Sequence, residues 1–132
     1  MSTVDQVRDF HMAFKVPPRD FDNQEDRKFR MRLLTEEFKE VAGAMGFLVT
    51  VEIESNSYAP LSKENCLKEL CDLKYVTDGA AVAFDMDMDR AFIRVHDSNM
   101  SKLDDNGQPI FREDGKVLKG PNYKEPNLGD LV

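Results

Sequence analysis

The chain has 132 residues, 41% apolar and 33% charged, with a net charge of −7. These values describe one soluble domain, large enough to build a core without disulfides. They argue against broad nonspecific binding to nucleic acid polymers. No run approaches the roughly 18 apolar residues of a membrane span, and Met1–Phe14 has neither the basic leader nor the apolar run of a signal peptide. A cytoplasmic protein is expected.

Val4, Val7, Phe10, His11 and Phe14 recur at helical spacing and predict a first helix over Thr3–Phe14, stopped by Pro17-Pro18. A second helix is predicted from about Asn23 to Met45, with Phe29, Leu33, Leu34, Val41 and Met45 as its stripe and Gly46 as terminator. Phe47–Ile53 is β-branched and partly alternating, the pattern of a short strand or an ordered excursion, and Ser55–Pro60 is a polar loop. Ser62 suits an N-cap, with Glu64 soon after. The third helix runs from there to about Phe84, and Leu67, Leu70, Leu73, Val76, Ala80 and Ala83 are its expected buried side. Asp85 stands at that helix end, where Gly is the usual residue.

The run Asp85-Met86-Asp87-Met88-Asp89 has the look of a calcium loop. It fails the test, because Arg90 occupies the Gly position and His96 the bidentate Glu position. It reads instead as a helix junction, with Asp87 or Asp89 as N-cap. A fourth helix over about Asp89–Met100 carries Phe92, Ile93, Val95 and His96. The tail from Ser101 holds turn signals at 104–107 and 113–116, and Pro109–Leu118 fits a short hairpin. The expected class is all-α: four main helices, a short strand-like insertion and an irregular C-terminal tail.

Two pairs of acids stand out. Glu37 and Glu40, and then Glu69 and Asp72, are each spaced i, i+3 in a helical segment, so each pair shares one helix face. Glu37 lies among Leu33, Leu34 and Val41, and Glu69 between Cys66 and Leu73. Acid on a face that a helix buries is costly unless compensated. Four such carboxylates from two helices make a site for a hard cation such as Mg²⁺. The rival reading is a solvated helix face, since Glu is a good helix former. His96 reads as a packed or capping histidine, and Cys66 and Cys71 as free thiols in or near the core.

Glu36-Glu37-x-x-Glu40 followed by Glu69-x-x-Asp72 resembles the MazG-like all-α nucleoside triphosphate pyrophosphohydrolases. That superfamily includes dimeric dUTPases and phosphoribosyl-ATP pyrophosphohydrolases. His96-Asp97-Ser98-Asn99-Met100-Ser101-Lys102 and Gly115–Tyr123 sharpen the likeness toward its small phage and bacterial branch, over about residues 4 to 128. Phe47–Pro60 departs from it, being longer and more strand-like than the usual connection between acid helices.

A single domain over 1–132 is expected from the chain's length, and the acid helices must face each other, antiparallel, to bring the pairs together. The resemblance implies Mg²⁺-dependent hydrolysis of nucleoside triphosphates between the α- and β-phosphates, giving a monophosphate and pyrophosphate. Glu37, Glu40, Glu69 and Asp72 would hold Mg²⁺, with Mn²⁺ as substitute, and Glu36 or one of the four would orient the attacking water. Asn99, Lys102 and Lys119 would contact phosphate or sugar, while Asn122 and Tyr123 reach the base or close the site. A homodimer or homotetramer is implied, with tail residues available to complete a neighbour's site. Two alternatives stay open: a phosphoribosyl-ATP pyrophosphohydrolase, and a non-catalytic helical module that binds metal or a partner.

Overall fold

The computed structural model describes residues 1–132. Its elements are α1 (Thr3–Ala13), α2 (Gln24–Ala44), α3 (Lys63–Ala83), α4 (Met88–Met100) and a 3-10 turn, η1 (Gly129–Leu131). There is no sheet, and a lone antiparallel bridge between Phe111 and Val117 closes the tail hairpin. The chain is all-α, as its sequence predicts.

Capping chemistry sets the helix starts. Ser2 and Asp5 form a reciprocal capping box on α1, and the Asn23 side chain accepts from the Asp26 N–H on α2. Ser62 Oγ accepts from the Asn65 N–H at 3.0 Å, and Asp87, one of the two expected candidates, caps α4. The first three helices end the same way. Lys15, Gly46 and Asp85 adopt left-handed φ values of 56°, 86° and 57°. The next residue in each case (Val16, Phe47, Met86) donates its N–H five positions back, to His11, Ala42 and Ala81 at 2.9, 2.8 and 2.8 Å. This is the Schellman closure, which satisfies carbonyls that the last turn leaves open. Only one of the three is a glycine, so two helix ends hold a side chain in a backbone region that disfavours it.

The chain divides into two units: Met1–Pro17 together with Glu69–Val132, and Pro18–Lys68. In the first, α1 packs against α4, and α4 against η1. Phe14 is 1% exposed and stacks on Phe10, with ring centroids 4.2 Å apart. Ala81, Leu131, Gln6 and Ser98 are buried as well. The tail is pinned at its far end, where the Asp87 N–H donates to the Leu131 carbonyl at 3.0 Å.

In the second unit a side-chain clamp fixes the start of α2. Asp26 accepts from the Asp20 N–H at 2.9 Å and from Arg19 at 3.2 Å, and the Arg19 guanidinium lies 4.3 Å from the centre of the Phe29 ring. These bonds hold the Asp26 carboxyl below its ordinary range, the Asp20 N–H contributing most. Phe47–Ile53 forms neither helix nor strand, which leaves the excursion of the two expected readings.

Burial departs from expectation on both long helices. Leu67, Leu70, Leu73 and Val76, the expected buried side of α3, are 64%, 44%, 45% and 66% exposed. Leu33, Leu34 and Val41 of α2 and its C-cap Met45 are exposed too, and Ala42 and Ala81 are the buried residues of these helices. At 21 residues each, the helices are about 31 Å long. Their apolar stripes exceed what this chain covers.

Candidate functional site

Glu36, Glu37 and Glu40 lie in the second half of α2, and Glu69 and Asp72 in the first half of α3. The clamp on Asp26 and the Gly46 closure fix the register of α2. Ser62 fixes the start of α3, and the i, i+4 pair of Lys74 with Asp78 at 2.6 Å braces it past the acids. All five carboxylates are exposed, and so are the apolar neighbours of Glu37. The desolvation penalty anticipated for acids in an apolar stripe is therefore not incurred in this chain.

No group of three or more His, Cys, Asp and Glu side chains is gathered for a metal ion. Each acid helix supplies a pair. The donor set fits a hard divalent cation. It is oxygen only and accessible, and Mg²⁺ typically takes one or two protein carboxylates while keeping waters and phosphate oxygens.

The candidate phosphate and base contacts belong to the first unit. Asn99 sits in the last turn of α4, and its carbonyl accepts from the Lys102 N–H at 3.3 Å. The tail returns to this point because position 120 is glycine. The Gly120 N–H donates to the Lys102 carbonyl at 3.1 Å. A Cβ there would stand 2.7 and 2.8 Å from the carbonyl oxygens of Lys102 and Leu103. That approach brings Lys119, Asn122 and Tyr123 back to the end of α4. The Lys119 ammonium lies 4.7 Å from the centre of the Tyr123 ring, and Asn122 donates to Asp105 at 2.7 Å.

Sequence reasoning missed the residues that hold this return in place. Ser98 Oγ donates to the Lys124 carbonyl at 2.7 Å, and the Lys124 N–H donates to Ser101 Oγ at 3.0 Å. The i, i+3 spacing of the two serines was the available signal. Arg94 donates to the Asn127 carbonyl at 2.9 Å and grips both carboxylate oxygens of Asp130. The Arg94 guanidinium holds the Asp130 carboxyl down to about 2. Arg94, Asp97, Ser98, Ser101, Lys124 and Asn127 are among the residues lining a cleft of about 320 Å³ between α4 and the tail. His96 is half-buried in α4, and Cys66 and Cys71 are free thiols.

The phosphoribosyl-ATP pyrophosphohydrolase family model matches residues 7–99. The match includes all five acids and stops before Lys102. A solved structure of an inferred NTP pyrophosphohydrolase from Exiguobacterium sp. 255-15 aligns with a TM-score of 0.76 at 22% identity. It covers 96% of this chain and 89% of that one, a likeness of fold. Among curated proteins none matches. No helix is long and apolar enough to cross a membrane.

Proposed function

Because the chain belongs to the phosphoribosyl-ATP pyrophosphohydrolase family, within the MazG-like all-α pyrophosphohydrolases, we propose that it hydrolyses nucleoside triphosphates between the α- and β-phosphates, releasing a monophosphate and pyrophosphate. The observation that carries this reading is the pair of acids on each of two continuous helices inside the family match, Glu37 with Glu40 and Glu69 with Asp72.

On this reading those four carboxylates hold Mg²⁺, and Mn²⁺ substitutes for it. A Mg²⁺ ion held there would supply neutralisation of phosphate charge and activation of water. Glu36 or one of the four accepts the proton of the attacking water. Lys102 and Lys119 draw in phosphate oxygens, and Asn99 contacts phosphate or sugar. Asn122 and Tyr123 meet the base. Positioning and charge supply most of the barrier lowering in such phosphoryl transfers.

Phosphoribosyl-ATP is the second substrate reading, favoured by the description of the matching family. The nucleoside triphosphate reading is supported by the Ser98–Lys102 stretch and by the solved neighbour, an inferred NTP pyrophosphohydrolase. Lys102, Lys119, Asn122 and Tyr123 all lie beyond the family match, so the match does not dictate the substrate contacts. The exposed apolar stripes of α2 and α3 support a homodimer or homotetramer, with the tail available to complete a neighbour's site.

Product analysis of a panel of ribo- and deoxyribonucleoside triphosphates, alongside phosphoribosyl-ATP, tests the proposal. Monophosphate plus pyrophosphate from triphosphates is the expected result. Diphosphate plus inorganic phosphate would show that a different bond is broken. Turnover of phosphoribosyl-ATP alone would select the second reading, and no turnover at all would favour a non-catalytic module.

A further inference from the structure

The connection between the acid helices carries a feature that the proposed activity does not use. From Leu48 to Glu54 burial alternates residue by residue. Val49, Val51 and Ile53 are half-buried, whereas Leu48, Thr50, Glu52 and Glu54 are exposed. The period of two belongs to an extended chain with one face turned inward. No backbone N–H or C=O from Leu48 to Asn56 takes part in a hydrogen bond within the chain. The segment thus has the burial period and residue types of a strand and unpaired backbone groups along its length.

We propose that Leu48–Glu54 pairs antiparallel with the same segment of a second copy of this chain, forming a two-stranded ribbon across a two-fold axis. The sequence is self-complementary in this orientation. An axis at Val51 sets Val49 opposite Ile53 and Thr50 opposite Glu52. An axis at Thr50 sets Val49 opposite Val51 and Leu48 opposite Glu52. Both registers keep the apolar face paired and no carboxylate opposite another. An axis at Glu52 opposes Glu52 to itself, an axis at Ile53 opposes Glu52 to Glu54, and a parallel in-register pair opposes both acids to themselves. Each of those arrangements is disfavoured by like charge. The allowed registers are isologous, as a closed dimer requires. A two-stranded ribbon is marginal alone. The exposed apolar faces of α2 and α3 supply the area for association, and the ribbon fixes its register.

Paired cysteines test the proposal independently of any activity. In a Cys66→Ser/Cys71→Ser background, Thr50→Cys and Val51→Cys are oxidised under mild conditions and compared with Tyr58→Cys, which lies beyond the strand. One of the first two is expected to give mostly covalent dimer, because the residue on the axis faces its own copy within disulfide reach. Amide exchange on the unaltered protein gives a second readout. Alternate amides over 48–54 should exchange on the order of 100-fold more slowly than in free chain, and Val51→Pro should abolish the protection. Two results would each overturn the proposal: 48–54 amides that exchange as free chain, or no cross-link at position 50 or 51 above the Tyr58→Cys level.

Discussion

Gly120 shows how a single residue positions a candidate site. Its missing side chain lets the tail touch the carbonyls of Lys102 and Leu103 just past α4, and Lys119, Asn122 and Tyr123 follow from that contact. Gly120→Ala forces a methyl group against backbone, which cannot rotate away. The expected cost is about 1–3 kcal/mol of stability, read as a lower unfolding midpoint together with faster amide exchange over 119–124. Asp130 makes a different kind of prediction. Arg94 lowers its carboxyl from 3.8 to about 2 in the folded chain. The contact therefore contributes stability above the ordinary Asp range, and that contribution is lost as pH falls through about 2. The Asp87 amide, bonded to Leu131, should shift in NMR spectra as the pH is lowered from 4 to 2. In Asp130→Asn it should already be shifted at neutral pH. The acid pairs were legible in the sequence because i, i+3 spacing is local. The Arg94–Asp130 contact was not, because residues 36 apart leave no local pattern.

The elements were legible wherever their ends carry chemistry. Asn23, Ser62, Asp87 and Gly46 mark starts and stops that the structure reproduces within a residue or two. Asp85, flagged as standing where Gly is usual, proves to be left-handed. Asp85→Gly removes that strain but frees the unfolded chain, for a net gain of about 0.5 kcal/mol. Thermal unfolding should show a small rise in the midpoint, whereas Asp85→Val should lower it. What the sequence did not disclose is what covers an apolar stripe. The spacing of Leu67, Leu70, Leu73 and Val76 marks a face meant for burial, and the face is exposed in this chain. Periodicity defines a surface without naming its partner. The strand-like pattern of Phe47–Ile53 has the same limit, since a strand is completed only by a neighbour.

For the molecule as a whole, the exposed apolar faces predict self-association. Sedimentation should report two or four times the 15.1 kDa chain mass, and a monomer at micromolar concentration would contradict the homo-oligomer reading. The family match covers the acid helices, while Lys102, Lys119, Asn122 and Tyr123, which we propose as substrate contacts, lie beyond it. The central claim is that the acid pairs of α2 and α3 serve one metal-dependent site. Groups that act as a unit are strongly non-additive when removed. The measurement that tests this most directly is Mg²⁺-dependent pyrophosphate release by the unaltered chain, Glu37→Gln, Glu69→Gln and the double variant. Each single change should cost on the order of 100-fold or more, and the double variant should be no worse than the poorer single. Two independent losses that multiply, or full activity in either single variant, would contradict a shared site.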